Sequence, residues 1–315
     1  MTSEDSRLAL LQRLALWSAL LVIMIVGISA FIRLSGVGLG CSPWPQCYGQ
    51  VSHAEQRGVL QTADAEVKQS ITLARLAHRV FAVLLLPLIL VLVIAGFTMK
   101  PRPWGERWVA LLALCLVLFL AVLGRWTAGV RVPAVALGNL LGGFLLFGLC
   151  WRMAAIGRAG ANNPSLSPRT CFGRYIAVAI LLLQIGLGGL VSSSLAGLSC
   201  PELSVCTVAK PVHWDTLNLL REPNFDASLA PVNADGALAH ALHRWVAALA
   251  VLTVSVVAIA LLRQGRRREG LTLLFLLLAQ LALGLGLVAA GLPLAIAVAH
   301  NIVAALLLAN LLSVD

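Results

Sequence analysis

Eight apolar runs of about 20 residues constrain this chain more than any other feature of its sequence. A helix of that length crosses a hydrocarbon layer roughly 30 Å thick, whereas barrel strands would show alternation over about ten residues. Only 11% of the residues are charged, against about 25% in soluble proteins. We therefore predict an all-α integral membrane protein. Its eight transmembrane helices are predicted at 14–34, 72–97, 108–129, 133–151, 173–194, 237–262, 270–290 and 293–312.

The basic residues indicate how the chain is oriented in the membrane. The loops after the second, fourth and sixth runs are rich in Lys and Arg, whereas the two long loops, 35–70 and 196–235, are more acidic than basic. Short loops rich in Lys and Arg stay on the cytoplasmic side. We expect both termini in the cytoplasm and the long loops in the periplasm or outside the cell, as in a bacterial plasma (inner) membrane protein. The net charge of +10 follows from this topology, so we expect contact with lipid and none with nucleic acid.

The chain contains an internal repeat. GLGCSPWPQC (38–47) and GLSCPELSVC (197–206) share the pattern GL-x-C-x5-C, and each is followed by a helix with His-Arg near its outer start. Four helices in each repeat give two halves that cross the membrane in the same sense. We therefore predict two tandem, pseudo-symmetric four-helix bundles, residues 1–160 and 161–315, a type of bundle that can hold a cofactor between its helices.

Four cysteines fall in the predicted outer loops. Disulfides persist outside the cytosol, so either loop can hold one. Such a bond would be a structural link or would take part in thiol exchange at the outer face. These four cysteines are Cys41, Cys47, Cys200 and Cys206.

Three of the six histidines lie at one depth in the predicted helices. His78, His243 and His300 are each about seven or eight residues from an outer helix end, which places them about 10 Å below the surface at 1.5 Å per residue. A single histidine at this depth often serves only packing, but ionisable groups inside a membrane usually have a function. Two imidazoles in an apolar, glycine-rich bundle are typical heme ligands, and His243 and His300 share the second half.

Arginines accompany these histidines. Arg79 and Arg244 directly follow His78 and His243, and Arg33 ends the first predicted helix. Arginine pairs well with carboxylates, so these side chains are candidates for binding heme propionates. The alternative is that they extend to lipid headgroups.

Motifs along nearly the whole chain resemble those of one enzyme family. They are RLSGVGLGCSPWPQCYGQ, AHR and LGRWTAGVRVPAVALGNLLGG in the first half, and GGLVSSSLAGLSCPELSVC, AHALHRW and LPLAIAVAHN in the second. These motifs resemble the heme A synthase family. Its members are membrane oxidoreductases that oxidise one methyl group of heme O to the formyl group of heme A, which terminal oxidases require.

The resemblance implies different roles for the two halves. The C-terminal half would bind heme b as a cofactor between His243 and His300, and the N-terminal half would receive the substrate heme O at His78. The implied partners are a heme O synthase and assembly factors of terminal oxidases, and a homo-oligomer is compatible with the sequence.

The resemblance also implies a role for the first outer loop. The loop 35–70 would cover the N-terminal site. Cys41 and Cys47 would match the redox-active cysteine pair of the family.

Two positions depart from the family pattern. Where the family has a second histidine on the fourth helix, alignment of LLGG places Asn139, with Gly138 as the other match, and three residues before His78 a family glutamate is replaced by Arg75. Asn139 would hydrogen-bond a bound water or oxygen molecule, and Arg75 would pair with a propionate. We take His78, Arg75 and Asn139 as candidate catalytic residues. The alternative function is a non-catalytic heme b protein that transfers electrons or assists oxidase assembly.

Overall fold

Eight helices of membrane-spanning length make up most of the part of the chain that the computed structural model describes. This part comprises residues 3–39, 41, 44–46, 48, 65–98, 104–126, 132–155, 165–203, 206, 214–221, 233 and 236–314, and it contains no strand. The predicted fold class is thereby confirmed. The helices are α1 (Ser3–Gly36), α2 (Ala65–Thr98), α3 (Trp104–Trp126), α4 (Pro133–Ala155), α5 (Pro168–Ser193), α6 (Ala237–Arg263), α7 (Arg267–Ala289) and α8 (Leu294–Ser313).

Two helices extend well beyond the apolar runs that predicted them. Helix α1 begins at Ser3, where a start near residue 14 was expected, and α2 begins at Ala65, where a start near residue 72 was expected. The added segments, 3–13 and 65–71, contain charged as well as apolar residues and have neither proline nor glycine, the residues that most often end a helix. The hydrophobic pattern located the most apolar part of each helix and missed the mixed segment before it.

The helices pack as two sets of four. In the first set α1 contacts α2 and α4, and α3 also contacts both; in the second set α5 and α7 each contact α6 and α8. The sets meet where α8 packs against α1 and α4 and where α4 packs against α5. The repeat relation between the two sets stays a prediction.

Small residues allow the helices to approach each other closely. A Cβ atom at Gly148 of α4 would lie 2.5 Å from a methyl carbon of Leu312 on α8, and alanines such as Ala113, Ala258 and Ala305 are fully buried between helices. Helix association in lipid depends on such close contacts. Large apolar side chains cover the outside of the bundle, where a membrane would surround it, including Trp17, Val83, Trp245 and Phe275.

Candidate functional site

A cavity of about 1020 Å³ lies among the four helices of the first set. This volume is at the upper end of the range for small-molecule sites, roughly 300–1,000 Å³. Ser193 and Leu195 of the second half also reach the cavity wall. The described lining is mostly apolar, and its polar side chains are Ser29, Arg33, His78, Arg79, Asn139 and Ser193.

The cavity brings together four residues that the sequence identified. His78 and Arg79 come from α2, Asn139 from α4 and Arg33 from α1. The described lining contains two arginines and neither Asp nor Glu. A pocket of this kind favours a ligand with a large apolar body and negatively charged groups.

Arg75 does not belong to this group. It lies on an exposed face of α2, outside the described lining of the cavity, although it is only three residues from His78. Positions three apart on a helix differ by about 60° around its axis, so Arg75 and His78 can be neighbours without both facing the cavity. Arg79 is also exposed, yet it reaches the cavity wall.

In the second half, His243 of α6 is held by Gln184 of α5. The Nδ1 atom of His243 lies 3.2 Å from the carbonyl oxygen of Gln184, and its Nε2 atom lies 3.4 Å from the side-chain nitrogen of the same residue. A carbonyl oxygen can only accept, so Nδ1 carries the proton and Nε2 presents its lone pair. This is the tautomer that a metal-binding histidine needs when Nε2 is the ligating atom.

His300 of α8 has a similar arrangement with Gln280 of α7. Its Nε2 atom lies 3.1 Å from the side-chain nitrogen of Gln280, and the Gln280 backbone also interacts with the ring. Among the described residues, the buried His300 Nδ1 has no hydrogen bond of normal geometry, nor do the side-chain oxygens of Gln184 and Gln280. Buried polar atoms usually have a partner, so this group has unused hydrogen-bonding capacity. His243 and His300 are close enough for their charges to interact.

A glycine lies one helical turn after each glutamine and makes room for the histidine ring. A Cβ atom at Gly188 would lie 2.9 Å from Cε1 of His243, and one at Gly284 would lie 3.2 Å from Cε1 of His300. Both distances are too short for normal packing, so a larger residue at either position would displace an imidazole. The pattern Gln-x3-Gly therefore occurs twice, each time against a histidine.

Two other residues of α6 hold the second outer loop. His240 is buried, and its Nδ1 atom lies 3.0 Å from the carbonyl oxygen of Ala196. Arg244 donates to the carbonyl oxygens of Glu202 at 2.7 Å and Cys200 at 2.6 Å. These contacts give Arg244, which the sequence suggested as a propionate partner, a structural role in the loop.

Both outer loops contain a disulfide. Cys200 and Cys206 are bonded to each other beside the first turn of α6, where both sulfur atoms face the carbonyl oxygen of Ala237. Cys41 is also in a disulfide. Cys47 lies outside the described residues.

The described part of the first outer loop is anchored on the second half. Tyr48 is 1% exposed and packs in one apolar cluster with Leu195 and Ala297. Its hydroxyl group hydrogen-bonds the backbone of Gly197, and burial raises the pKa of Tyr48 to about 12. The ring of Trp44 packs edge-on against Tyr48, with 5.6 Å between the ring centroids. The loop thus contacts both halves of the molecule.

Sequence reasoning missed the polar partners of the key residues. Gln184 and Gln280 were not singled out, nor were Ser192 and Asn301, which both accept hydrogen bonds from Arg33. Their polarity could have identified them, because an uncharged polar side chain inside an apolar helix needs a hydrogen-bond partner there.

The fold and these sites define a class: a multi-pass helical membrane protein with histidines inside its bundles and a large cationic cavity beside them. The chain belongs to the COX15-CtaA family, described as cytochrome oxidase assembly protein, whose profile matches residues 12–312.

Curated relatives match over nearly their whole length. A protein of Shewanella oneidensis named heme A synthase is 31% identical over 331 aligned positions, covering 98% of this chain and 96% of that protein. Proteins of the same name from Sphingopyxis alaskensis and Novosphingobium aromaticivorans are each 28% identical, covering 93% and 92% of this chain and 88% and 90% of those proteins.

Proposed function

We propose that this protein is a heme A synthase, an oxidoreductase that converts the methyl group of heme O to the formyl group of heme A. Family membership over nearly the full chain supports this assignment. The observation that carries it is the cavity of about 1020 Å³ in the first half, whose described lining is mostly apolar and includes one histidine and two arginines.

The cavity residues receive the substrate heme O. His78 is the ligand for the substrate iron, and Arg79 and Arg33 pair with the propionates, since arginine binds carboxylates with strong, directed hydrogen bonds. Asn139 lines the same cavity. Its side-chain amide can hydrogen-bond a small polar molecule bound there. Arg75, exposed on α2 one turn before His78, adds positive charge near the site.

The second half fits a heme b cofactor between His243 and His300. The two imidazoles lie on different helices and close enough to interact electrostatically. Gly188 and Gly284 leave space at the rings, and Gln184 and Gln280 have buried oxygens without partners among the described residues. A heme bound there would supply a redox centre that exchanges one electron at a time. The carbonyl oxygen of Gln184 holds His243 in the ligating tautomer. The side-chain nitrogen of Gln280 donates to Nε2 of His300, which leaves the ring proton of His300 on Nδ1.

The outer loops stabilise the outward face of both sites. Arg244 and the Cys200–Cys206 disulfide hold the second loop, and the first loop with Cys41 is anchored by Tyr48. We place the protein in the bacterial inner membrane with both termini in the cytoplasm, consistent with its distribution of basic residues. Its partners in this proposal are a heme O synthase and oxidase assembly factors.

Heme extraction tests the proposed activity. The protein is co-expressed with a heme O synthase in a host that lacks heme A, and the extracted hemes are separated by chromatography with mass detection. We expect heme A, or its hydroxymethyl precursor, in addition to heme b. Only heme b and unmodified heme O, from a correctly folded protein, would contradict the assignment and indicate a heme-binding relative without the activity.

A further inference from the structure

Arg33 connects the first-half cavity to the second half of the protein. It lies on α1 and lines the cavity, yet its guanidinium donates to the side chains of Ser192 on α5 and Asn301 on α8. The bond to Asn301 Oδ1 is 2.9 Å long. Asn301 directly follows His300 in the sequence. One arginine therefore contacts the cavity, α5 and α8, the helix that carries His300.

Both acceptors of Arg33 are themselves fixed in position. Ser192 donates to the carbonyl oxygen of Gly189 at 2.9 Å, and the side-chain nitrogen of Asn301 donates to the carbonyl oxygen of Ala297 at 2.8 Å. The orientation of Asn301 is thereby set, with its oxygen toward Arg33. A guanidinium group has five N–H donors, so these two bonds leave others available for a group in the cavity.

The charge of Arg33 is not neutralised by its two partners. A hydroxyl group and an amide are neutral, and the ion pairs Arg221–Asp215 and Arg266–Glu269 lie elsewhere. The described cavity lining contains no carboxylate. A partly buried cation in an apolar environment is stabilised by a negative partner. An anionic group on a ligand in the cavity would supply this negative partner.

We propose that Arg33 binds a carboxylate of the cavity ligand and that Ser192 and Asn301 are its positioning residues, so that the substrate site is built from both halves of the chain. This inference rests on the proposed function, which identifies the ligand as a porphyrin with two propionates. It differs from the sequence interpretation, in which the first half alone receives the substrate. Ser193 and Leu195 in the cavity wall agree with a shared site.

Zinc protoporphyrin is a suitable probe because it is fluorescent and carries both carboxylates. The full-length protein with its own heme is purified in detergent and titrated with this compound, and the dissociation constant is taken from the fluorescence. The control ligand is zinc protoporphyrin dimethyl ester, which has the same ring but no negatively charged carboxylate. We expect the wild-type protein to bind the acid about tenfold more tightly than the ester.

Four variants separate direct binding from positioning. Arg33→Gln should weaken binding of the acid by about tenfold or more, and Ser192→Ala and Asn301→Leu by about threefold each. Asn301→Asp is the sharpest variant, because an aspartate would pair with Arg33 and cancel the charge that attracts the ligand, which predicts about a tenfold loss. A purely structural contact would instead be preserved or strengthened by that aspartate. Binding of the ester should change less than twofold in all four.

Each result has a definite meaning. Equal affinity of Arg33→Gln and wild type for the acid, or unchanged binding in Asn301→Asp, would overturn the inference while leaving the substrate site intact. Failure of the wild-type protein to bind the acid at all would overturn the proposed substrate site, and the inference with it. The absorption spectrum of the resident heme reports folding. If Asn301 variants lose that spectrum, Ser192→Ala and Arg33→Gln decide the question.

Discussion

The two halves of the protein present histidines in opposite ways. In the first half, His78 lines an open cavity of about 1020 Å³ that contains arginines and an asparagine. In the second half, His243 and His300 each contact a glutamine through Nε2, and glycines sit close against both rings. Among the described residues, the first site has space and one histidine, whereas the second has two histidines in tightly defined positions.

This difference suits one ligand that enters and leaves and another that stays. A substrate must exchange, so its site needs volume, a cation for its charged groups and few strong ligands. A permanent cofactor gains from two fixed ligands, since ordering them in advance lowers the cost of binding. The comparison indicates how two sets of four helices can present histidines for two different roles.

The largest effect is expected for the histidines of the second half. His243→Ala or His300→Ala removes one of two proposed iron ligands, so the low-spin absorption spectrum of a bis-imidazole heme should disappear. Spectra of purified variants, with polypeptide concentration measured separately, test this expectation. An unchanged low-spin spectrum in both variants would defeat the ligand assignment.

A smaller effect is expected at the first outer loop. Cys41→Ser breaks the disulfide of that loop and should reduce yield or heme A formation severalfold, because disulfide loss typically destabilises by about 2–5 kcal/mol. The resident heme spectrum should stay unchanged, since the ligands lie deeper in the second half. Wild-type levels of product in this variant would leave the bond with only a structural role.

The anchor of the same loop should respond to alkaline pH. Tyr48 has a pKa of about 12 in the folded protein and about 10 when unfolded, so its neutral form is favoured by folding. Its contribution is complete below pH 10 and is lost as the pH rises through about 12. Between about pH 9 and about pH 11, wild type should therefore lose about 1 kcal/mol of stability relative to Tyr48→Phe. Melting curves of wild type and Tyr48→Phe at about pH 9 and about pH 11 measure this difference. An identical pH dependence in the two proteins would refute the role of Tyr48.

The smallest effect is expected for the glutamines, and only without heme. Gln280→Leu removes the hydrogen bond to His300 Nε2, which should lower the stability of heme-free protein by about 1 kcal/mol. Heme-loaded protein should be unaffected because iron then occupies Nε2. Gln264→Leu is the matched control, since Gln264 bonds Thr170 near the start of α5 and should destabilise both forms equally. Equal losses in both forms for Gln280→Leu would contradict the assignment.

Much of the fold and part of the site could be predicted from the sequence. Apolar runs located all eight helices because hydrocarbon thickness fixes their length. The common depth that helix rise predicts for His78, His243 and His300 stays a prediction. The outward face of Arg75 could not be predicted, since it depends on how α2 is rotated. The contacts of Arg33 with Ser192 and Asn301 join residues 159 and 268 positions apart, and only the packing of the two halves reveals them.

The division of roles between the halves is tested most directly by His78→Ala. Wild type and variant are co-expressed with a heme O synthase, and the hemes extracted from equal amounts of purified protein are identified by mass. We predict heme b in both proteins, an unchanged low-spin spectrum in both, and heme A only in wild type. Continued formation of heme A in the variant, or loss of heme b together with heme A from a folded variant, would contradict the two-site account.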